Sequence, residues 1–283
     1  MTRFSPSATE TWLECPLKRH LSHAGWTPRK IGKREMGAIL GGAFAQGVNA
    51  WKSTELAGQT ADPEVCAEIA AGSAQAHCAD LERAGAIIQE WDRAQYQAIT
   101  RRASEGVRRI MGQDPIPPTW NLLDVERVIP EWGECRIDLG LESPLGVIVW
   151  DWKCKLSLDA KWLPKEVEKY RLSEQRWHYS CAYGDFLQRP VYAFYIGLVI
   201  LEPFRVHVLP YVNDPVDLVM WQQAREQTWA DMAAEARGER QVGIAAKHHN
   251  EYGPCEFQRA CWEYHLDADL MAKDFIQRGR GSP

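Results

Sequence analysis

Asp138 stands thirteen positions before the tripeptide Asp151-Trp152-Lys153, and these are the residues of the chain best suited to do chemistry. Two carboxylates held side by side can grip a divalent cation, which polarises a phosphate oxygen and lowers the pKa of a bound water. An ammonium beside them can orient that water or offset the negative charge that develops as a phosphodiester is attacked. The spacing lets the groups meet. Arg136-Ile137-Asp138-Leu139 alternates polar and apolar as a half-buried strand does, Ser143-Pro144-Leu145-Gly146 has turn chemistry, and Val147 to Lys153 reads as the returning strand. Positions i and i+2 of a strand share a face, so Asp151 and Lys153 point together while Trp150 and Trp152 point away and pack. An Asp-x-Lys tripeptide taken alone equally fits a solvated strand end with an ordinary salt bridge.

The elements that must position these groups follow from the same patterns. Residues 38–112 are rich in Ala, Glu, Gln and Arg and read as helical, and Pro115, Pro117 and Pro118 end that region. Strands are expected near 122–130, 134–141, 146–153, 190–200 and 204–211, with a crossover helix at 165–187 and another helix at 215–237. On the crossover helix Gln175 and Tyr179 are i and i+4 neighbours, so both can reach the acidic strands. Tyr179 equally fits a buried aromatic whose hydroxyl has a partner. Glu126, on the first strand, can face the site, but a solvent-facing carboxylate is the expectation.

Composition sets the class. At 283 residues and 45% hydrophobic, the chain can bury a sizeable core, and one elaborated domain is expected over 1–283. It divides into a mainly helical part at 1–118, a sheet with its crossover helix at 119–211, and a C-terminal helix with a cysteine-containing segment at 212–283. With no apolar run long enough to span a bilayer and no signal peptide, a cytoplasmic location is expected. Eight cysteines in a chain this long read as reduced thiols or metal ligands, not a disulfide framework. The net charge of −5 argues against a protein that coats nucleic acid nonspecifically, yet residues 1–37 carry seven cations against three anions, a local excess of +4. Lys18, Arg19 and Arg34 of that cluster are candidates for phosphate contacts. Arg101, Arg102, Arg108 and Arg109 add a basic helix face or a solvated surface. Among the 13 tryptophans, Trp26 and Trp177 are candidates to stack on unpaired bases, with core packing as the alternative.

The order of these features resembles the PD-(D/E)XK nucleases, and within them the RecB/AddB branch that includes CRISPR-associated RecB-like and phage exonucleases. The match begins with Ser5-Pro6-Ser7-Ala8-Thr9-Glu10-Thr11-Trp12-Leu13-Glu14-Cys15-Pro16, continues through Gly41-Gly42-Ala43-Phe44-Ala45-Gln46, and reaches the acidic strands at Arg136-Ile137-Asp138 and Val149-Trp150-Asp151-Trp152-Lys153. Gln175-Arg176-Trp177-His178-Tyr179 follows as the Gln-x-x-x-Tyr helix, and Cys255 to Cys261 closes the order.

The resemblance implies an α/β fold with a restriction-endonuclease-like core, a central mixed β-sheet flanked by helices, and a helical N-terminal region. It implies an exonuclease acting on DNA ends in recombination, repair or phage DNA processing, with Mg²⁺ or Mn²⁺ held by Asp138, Asp151 and the backbone carbonyl of Trp152. Lys153, Gln175 and Tyr179 complete its catalytic group, with Arg176 beside them as a nucleic-acid contact. Gln46 stands where the family often has a metal-binding histidine and is a candidate further metal ligand, though an amide oxygen is the poorer donor. AddB-type members also hold a 4Fe-4S cluster with one N-terminal and three C-terminal cysteines. Cys15, Cys255 and Cys261 match, but Tyr252 replaces the remaining cysteine and leaves the set one thiolate short. His248 or His249 can complete a zinc site instead, and reduced cysteines packed as small hydrophobes are the reading adopted. A noncatalytic nucleic-acid-binding or adaptor protein on the same scaffold is the alternative function.

Overall fold

Strands rich in Val, Ile, Leu and aromatic residues on both faces have to be covered on both sides, and that requirement sets the architecture here. The computed structural model describes residues 3–28, 33–86, 90–133, 135–239, 249–250, 253–254, 257, 266, 268–271 and 275–277. In chain order they form α1 (Pro6–Glu14), α2 (Pro16–His23), β1 (Trp26–Pro28), α3 (Lys33–Leu56), α4 (Pro63–Arg83), α5 (Glu90–Met111), β2 (Asn121–Ile129), β3 (Cys135–Ser143) and β4 (Gly146–Lys155). Then come α6 (Leu163–Arg171), α7 (Glu174–Leu187), β5 (Val191–Leu201), β6 (Phe204–Val212), α8 (Pro215–Ala236), β7 (His249–Asn250), β8 (Gly253–Pro254), α9 (Ala268–Met271) and β9 (Phe275–Gln277).

The central sheet runs β2-β3-β4-β5-β6. Only β4 and β5 pair in parallel; β2 with β3, β3 with β4, and β5 with β6 are antiparallel. A parallel pair needs a long crossover, and α6 with α7 supplies it. Alternation along β4 divides its side chains between two cores. Ile148, Trp150 and Trp152 join the apolar cluster built with α3, α4 and α5, whereas Val147 and Val149 join the cluster built with α7 and α8. The result is an α/β fold with a mixed sheet between two helical layers.

Two local departures from the expected pattern matter for the site. The crossover helix is broken at Leu172-Ser173, because the Ser173 hydroxyl accepts from the Gln175 N–H at 3.1 Å and starts a new helix there. That break sets Gln175 in the first turn of α7. The second departure lies in β3. Cys135 and Ile137 pack in the α7 layer, yet Leu139 and Leu141, of the same parity, pack in the α3 layer. The switch falls at Asp138, flanked by the pairs Arg127 with Ile137 and Val125 with Leu139, so the residue facing it is Glu126. Glu126 has a φ of 50°, a left-handed backbone that a glutamate rarely takes. Such bulge-like kinks re-aim side chains and are concentrated beside active sites.

The two ends of the described chain also meet. β1 pairs with β9, and Cys15, Leu17 and Leu21 pack with Phe257, Met271 and Phe275. Among the described residues, no helix is long and apolar enough to cross a membrane.

Candidate active site

Pairing between β3 and β4 runs as far as Leu139 with Trp150. One step further in the same register, Asp138 and Asp151 stand opposite each other where the ladder has opened. The Trp152 N–H, which has no strand partner there, donates to Asp138 Oδ2 at 2.9 Å. Asp151 is buried, at 1% exposure. Lys153 Nζ lies 2.7 Å from Asp151 Oδ2 and donates to Gln175 Oε1 at 2.8 Å. Gln175 Nε2 in turn donates to Asp151 Oδ1 at 3.0 Å. Asp151, Lys153 and Gln175 thus form a closed triangle in which both ends of the amide are used, and the helix start at Ser173 fixes where that amide sits.

Electrostatics follow from the crowding. Burial, and then the neighbouring Asp151 carboxylate, push the Asp138 pKa up. Burial likewise raises Asp151, against the pull of Lys153. For Lys153 burial works against the charge, but Asp151 and Asp138 outweigh it and its pKa is raised, so it is an ammonium. Tyr179 is pushed well above the ordinary phenol range by burial and then by Asp151 and Asp138, which keeps it protonated and able to donate. Glu126 is raised by burial, opposed by Arg136 3.2 Å away.

Two carboxylates, Asp151 buried and Asp138 half-buried, beside one ammonium suit a hard divalent cation, since a second positive charge would let both ionise. Among the described residues no three His, Cys, Asp or Glu side chains converge closely enough to chelate an ion alone. Backbone or amide oxygens and water would have to complete the shell, as Mg²⁺ commonly allows. The site opens into a cavity of about 650 Å³ walled by Glu10 and Leu13 of α1, Lys169 of α6 and Leu172 just after it, with Lys153 and Gln175 also on its surface.

The residues expected from sequence fall in different places. Asp138, Asp151, Lys153 and Gln175 come together as described. Gln46 does not join them: it is exposed on α3, off the buried face carried by Phe44, Val48 and Trp51. Counting four residues from a helix glycine ignored that face. Asn49, which is buried, donates instead to Glu126, so the amide that α3 sends toward the acidic row is Asn49. Glu126 is accordingly half-buried and partnered, not solvent-facing.

The phosphate-contact candidates are also revised. Arg176 is buried, donating to the carbonyls of Arg171 at 3.2 Å and Val212 at 2.9 Å and lying over Trp177 and Tyr211, so it ties α7 to β6. Lys18 is buried and ion-paired with Glu14 at 2.9 Å. Arg19 is half-buried with its pKa lowered by that burial. The side chain of Arg34 lies outside the described residues. On α5, Arg102 pairs with Glu202 and Arg108 with Glu64, at 2.7 and 2.6 Å, so the basic helix is largely engaged within the protein. Cys15 is buried beside Phe257, Met271 and Phe275. Cys255, Cys261, Tyr252 and His248 lie outside the described residues, as does the side chain of His249.

Sequence reasoning missed Asn49 and the cavity wall of α1. Glu10, on that wall, accepts a 3.4 Å hydrogen bond from Ser173, and its pKa is raised by burial and then by Glu174.

An acid, a second acid and a lysine set on neighbouring strands of a mixed sheet define a class of metal-dependent phosphodiesterases. The model of the PD-(D/E)XK nuclease superfamily matches residues 3–262, and the chain belongs to that superfamily. Nucleases of this superfamily in general use divalent metals such as Mg²⁺, and their substrates are nucleic acids. No curated protein matches the chain.

Proposed function

We propose that this nuclease domain is a divalent-metal-dependent deoxyribonuclease of the RecB/AddB-like branch. It acts in the cytoplasm of a bacterium or a phage-infected host, as an exonuclease on free DNA ends in recombination, repair or phage DNA processing. The observation that carries the reading is the triangle of Asp151, Lys153 and Gln175 beside Asp138, with Lys153 and Gln175 on the wall of an open cavity. The motif order from Ser5 through Cys15-Pro16 to Gln175 and Tyr179 supports the branch.

In this reading Asp138, Asp151 and the Trp152 carbonyl hold Mg²⁺ or Mn²⁺. When bound, the ion supplies Lewis-acid polarisation of the phosphate and an acidified water. Asp138 is aimed by the Trp152 N–H, so one residue fixes a carboxylate through its nitrogen and offers its oxygen as a further ligand. Lys153, held as an ammonium by the two aspartates, steers the attacking water and offsets charge on the phosphate as it develops. Gln175 keeps Lys153 and Asp151 in register, and Tyr179, as a phenol, donates to substrate.

The test is incubation of end-labelled linear and circular DNA with Mg²⁺, Mn²⁺ or EDTA, with Asp138→Ala and Asp151→Ala as controls. Metal-dependent loss of linear DNA alone, abolished in both variants, supports the proposal. Cutting of circular single strands would replace exonuclease with endonuclease, and unchanged activity in both variants would sink the site. Salt-dependent binding without turnover in any divalent metal would make the chain a noncatalytic member of the superfamily.

A further inference from the structure

The connection from β4 to α6 ends in a short 3-10 helix, Ala160–Trp162. Trp162 is 52% exposed and belongs to none of the three apolar clusters. The exposed indole presents a flat aromatic face that a planar partner can cover. Lys161 and Lys165 place their Nζ atoms 5.7 and 5.8 Å from its ring centroid, at the outer edge of cation–π range, and Lys161 is also paired with Asp159 at 3.3 Å.

The helix extends this arrangement toward the site. Trp162, which caps the start of α6, Lys165 and Lys169 on the helix, and Leu172, which caps its end, follow one another at intervals of three or four residues and so line up in one stripe. Lys169 and Leu172 line the cavity that holds Lys153 and Gln175. The stripe thus leads from an exposed indole to the candidate active site over about 15 Å of helix. Leu172, 63% exposed, and Leu13, 46% exposed, add apolar surface at the cavity.

We propose that this stripe is a track for single-stranded DNA, with a base stacked on Trp162 and phosphates passing Lys165 and Lys169 into the cavity. The inference rests on the nuclease reading and names its substrate form. Aromatic faces alternating with cations receive unpaired bases, whereas a duplex keeps its base faces inside the stack and offers nothing for the indole to cover.

The test is fluorescence anisotropy of the full chain with labelled oligothymidylate and with a blunt duplex, in EDTA so that nothing is cut. Trp162→Ala is expected to weaken oligothymidylate binding about tenfold, within the range of one stacked base, and to leave duplex binding within about twofold. Trp162→Phe, which keeps a ring, should restore most of the loss. Lys165→Ala with Lys169→Ala should flatten the salt dependence on the single strand. Equal losses on both DNA forms, or none, would overturn the track. A parallel hydrolysis assay in Mg²⁺ and Mn²⁺ separates the two proposals. Trp162-dependent single-strand binding with no hydrolysis keeps the track and removes the nuclease; hydrolysis by a chain whose Trp162→Ala variant binds normally does the reverse.

Discussion

His178 gives a pH dependence whose size can be worked out. It lies on α7 between Gln175 and Tyr179 in the same turn and is 1% exposed. Its Nε2 faces the Trp132 carbonyl at 3.0 Å, and because a carbonyl only accepts, that nitrogen carries the proton. Trp132, Trp221 and Trp229 surround the ring at centroid distances of 5.3, 6.0 and 5.9 Å. Burial lowers its pKa from 6.5 to about 4, with Arg3 pushing the same way and Glu174 and the Trp132 carbonyl opposing. A folded value below the unfolded one means that the unfolded chain takes up the proton first. Stability is therefore unaffected well above pH 6.5, and falls as pH drops through that value toward about 4. The full loss is about 3 kcal/mol, of which about 2 kcal/mol is reached by about pH 5. Urea unfolding of the protein and of His178→Gln at about pH 7.5 and about pH 5 isolates this from other titrating groups. The variant should be less stable at the higher pH, and its deficit should shrink by about 2 kcal/mol at the lower. A deficit that does not change with pH would refute the argument that a neutral, buried imidazole anchors α7.

Three other perturbations probe the site. Asp138→Asn removes a carboxyl whose ionisation is disfavoured beside Asp151 and should raise metal-free stability by about 1 kcal/mol in thermal melts, while abolishing stabilisation by Mg²⁺. Lys153→Met leaves Asp151 buried without its cation and should cost about 3–5 kcal/mol in chemical unfolding. A Cβ on Gly197 would come within 2.5 Å of the Trp152 ring, so Gly197→Ala should cost about 1–3 kcal/mol. It should also slow cleavage, measured as initial rate at saturating metal, because the residue whose N–H aims Asp138 is pushed aside.

The strands were legible because their pattern is local. Turn residues at Ser143-Pro144 and continuous apolar runs place β3, β4 and β5 within a few residues of the expected bounds, and a parallel β4-β5 pair follows from the long segment between them. What period-2 reasoning could not reveal is a change of parity within a strand. Cys135 and Ile137 pack on one side and Leu139 and Leu141 on the other, and no composition signal marks Glu126 as left-handed. Helix faces failed for a related reason. Gln46 and Asn49 are only three residues apart, and which amide turns inward depends on how α3 is seated against β2 and β4, a tertiary fact. Arg176 was misread because an exposed cation and one buried against two carbonyls are identical in sequence.

The kink at Asp138 also explains why the centre is confined to one spot on a long hairpin. Beyond Leu139 and Trp150 the β3-β4 ladder opens. The Trp152 N–H goes to Asp138, and the carboxylates lie where no strand bond competes for their oxygens. Restoring regular pairing would move Asp138 out of the opening and return that N–H to the ladder. A regular hairpin would thus be the more stable sheet and the poorer metal site. The left-handed Glu126, secured by Asn49 on one side and Arg136 on the other, holds the strand pair in its irregular form. Replacing Glu126 with Gln keeps the hydrogen-bonding shape and removes one negative charge facing Asp138, so it should lower metal affinity while leaving the fold in place. Metal titration followed by thermal shift would show this as a displaced midpoint at unchanged metal-free Tm. If the metal-free Tm fell by several degrees and the midpoint stayed, the role of Glu126 would be to hold the kink alone.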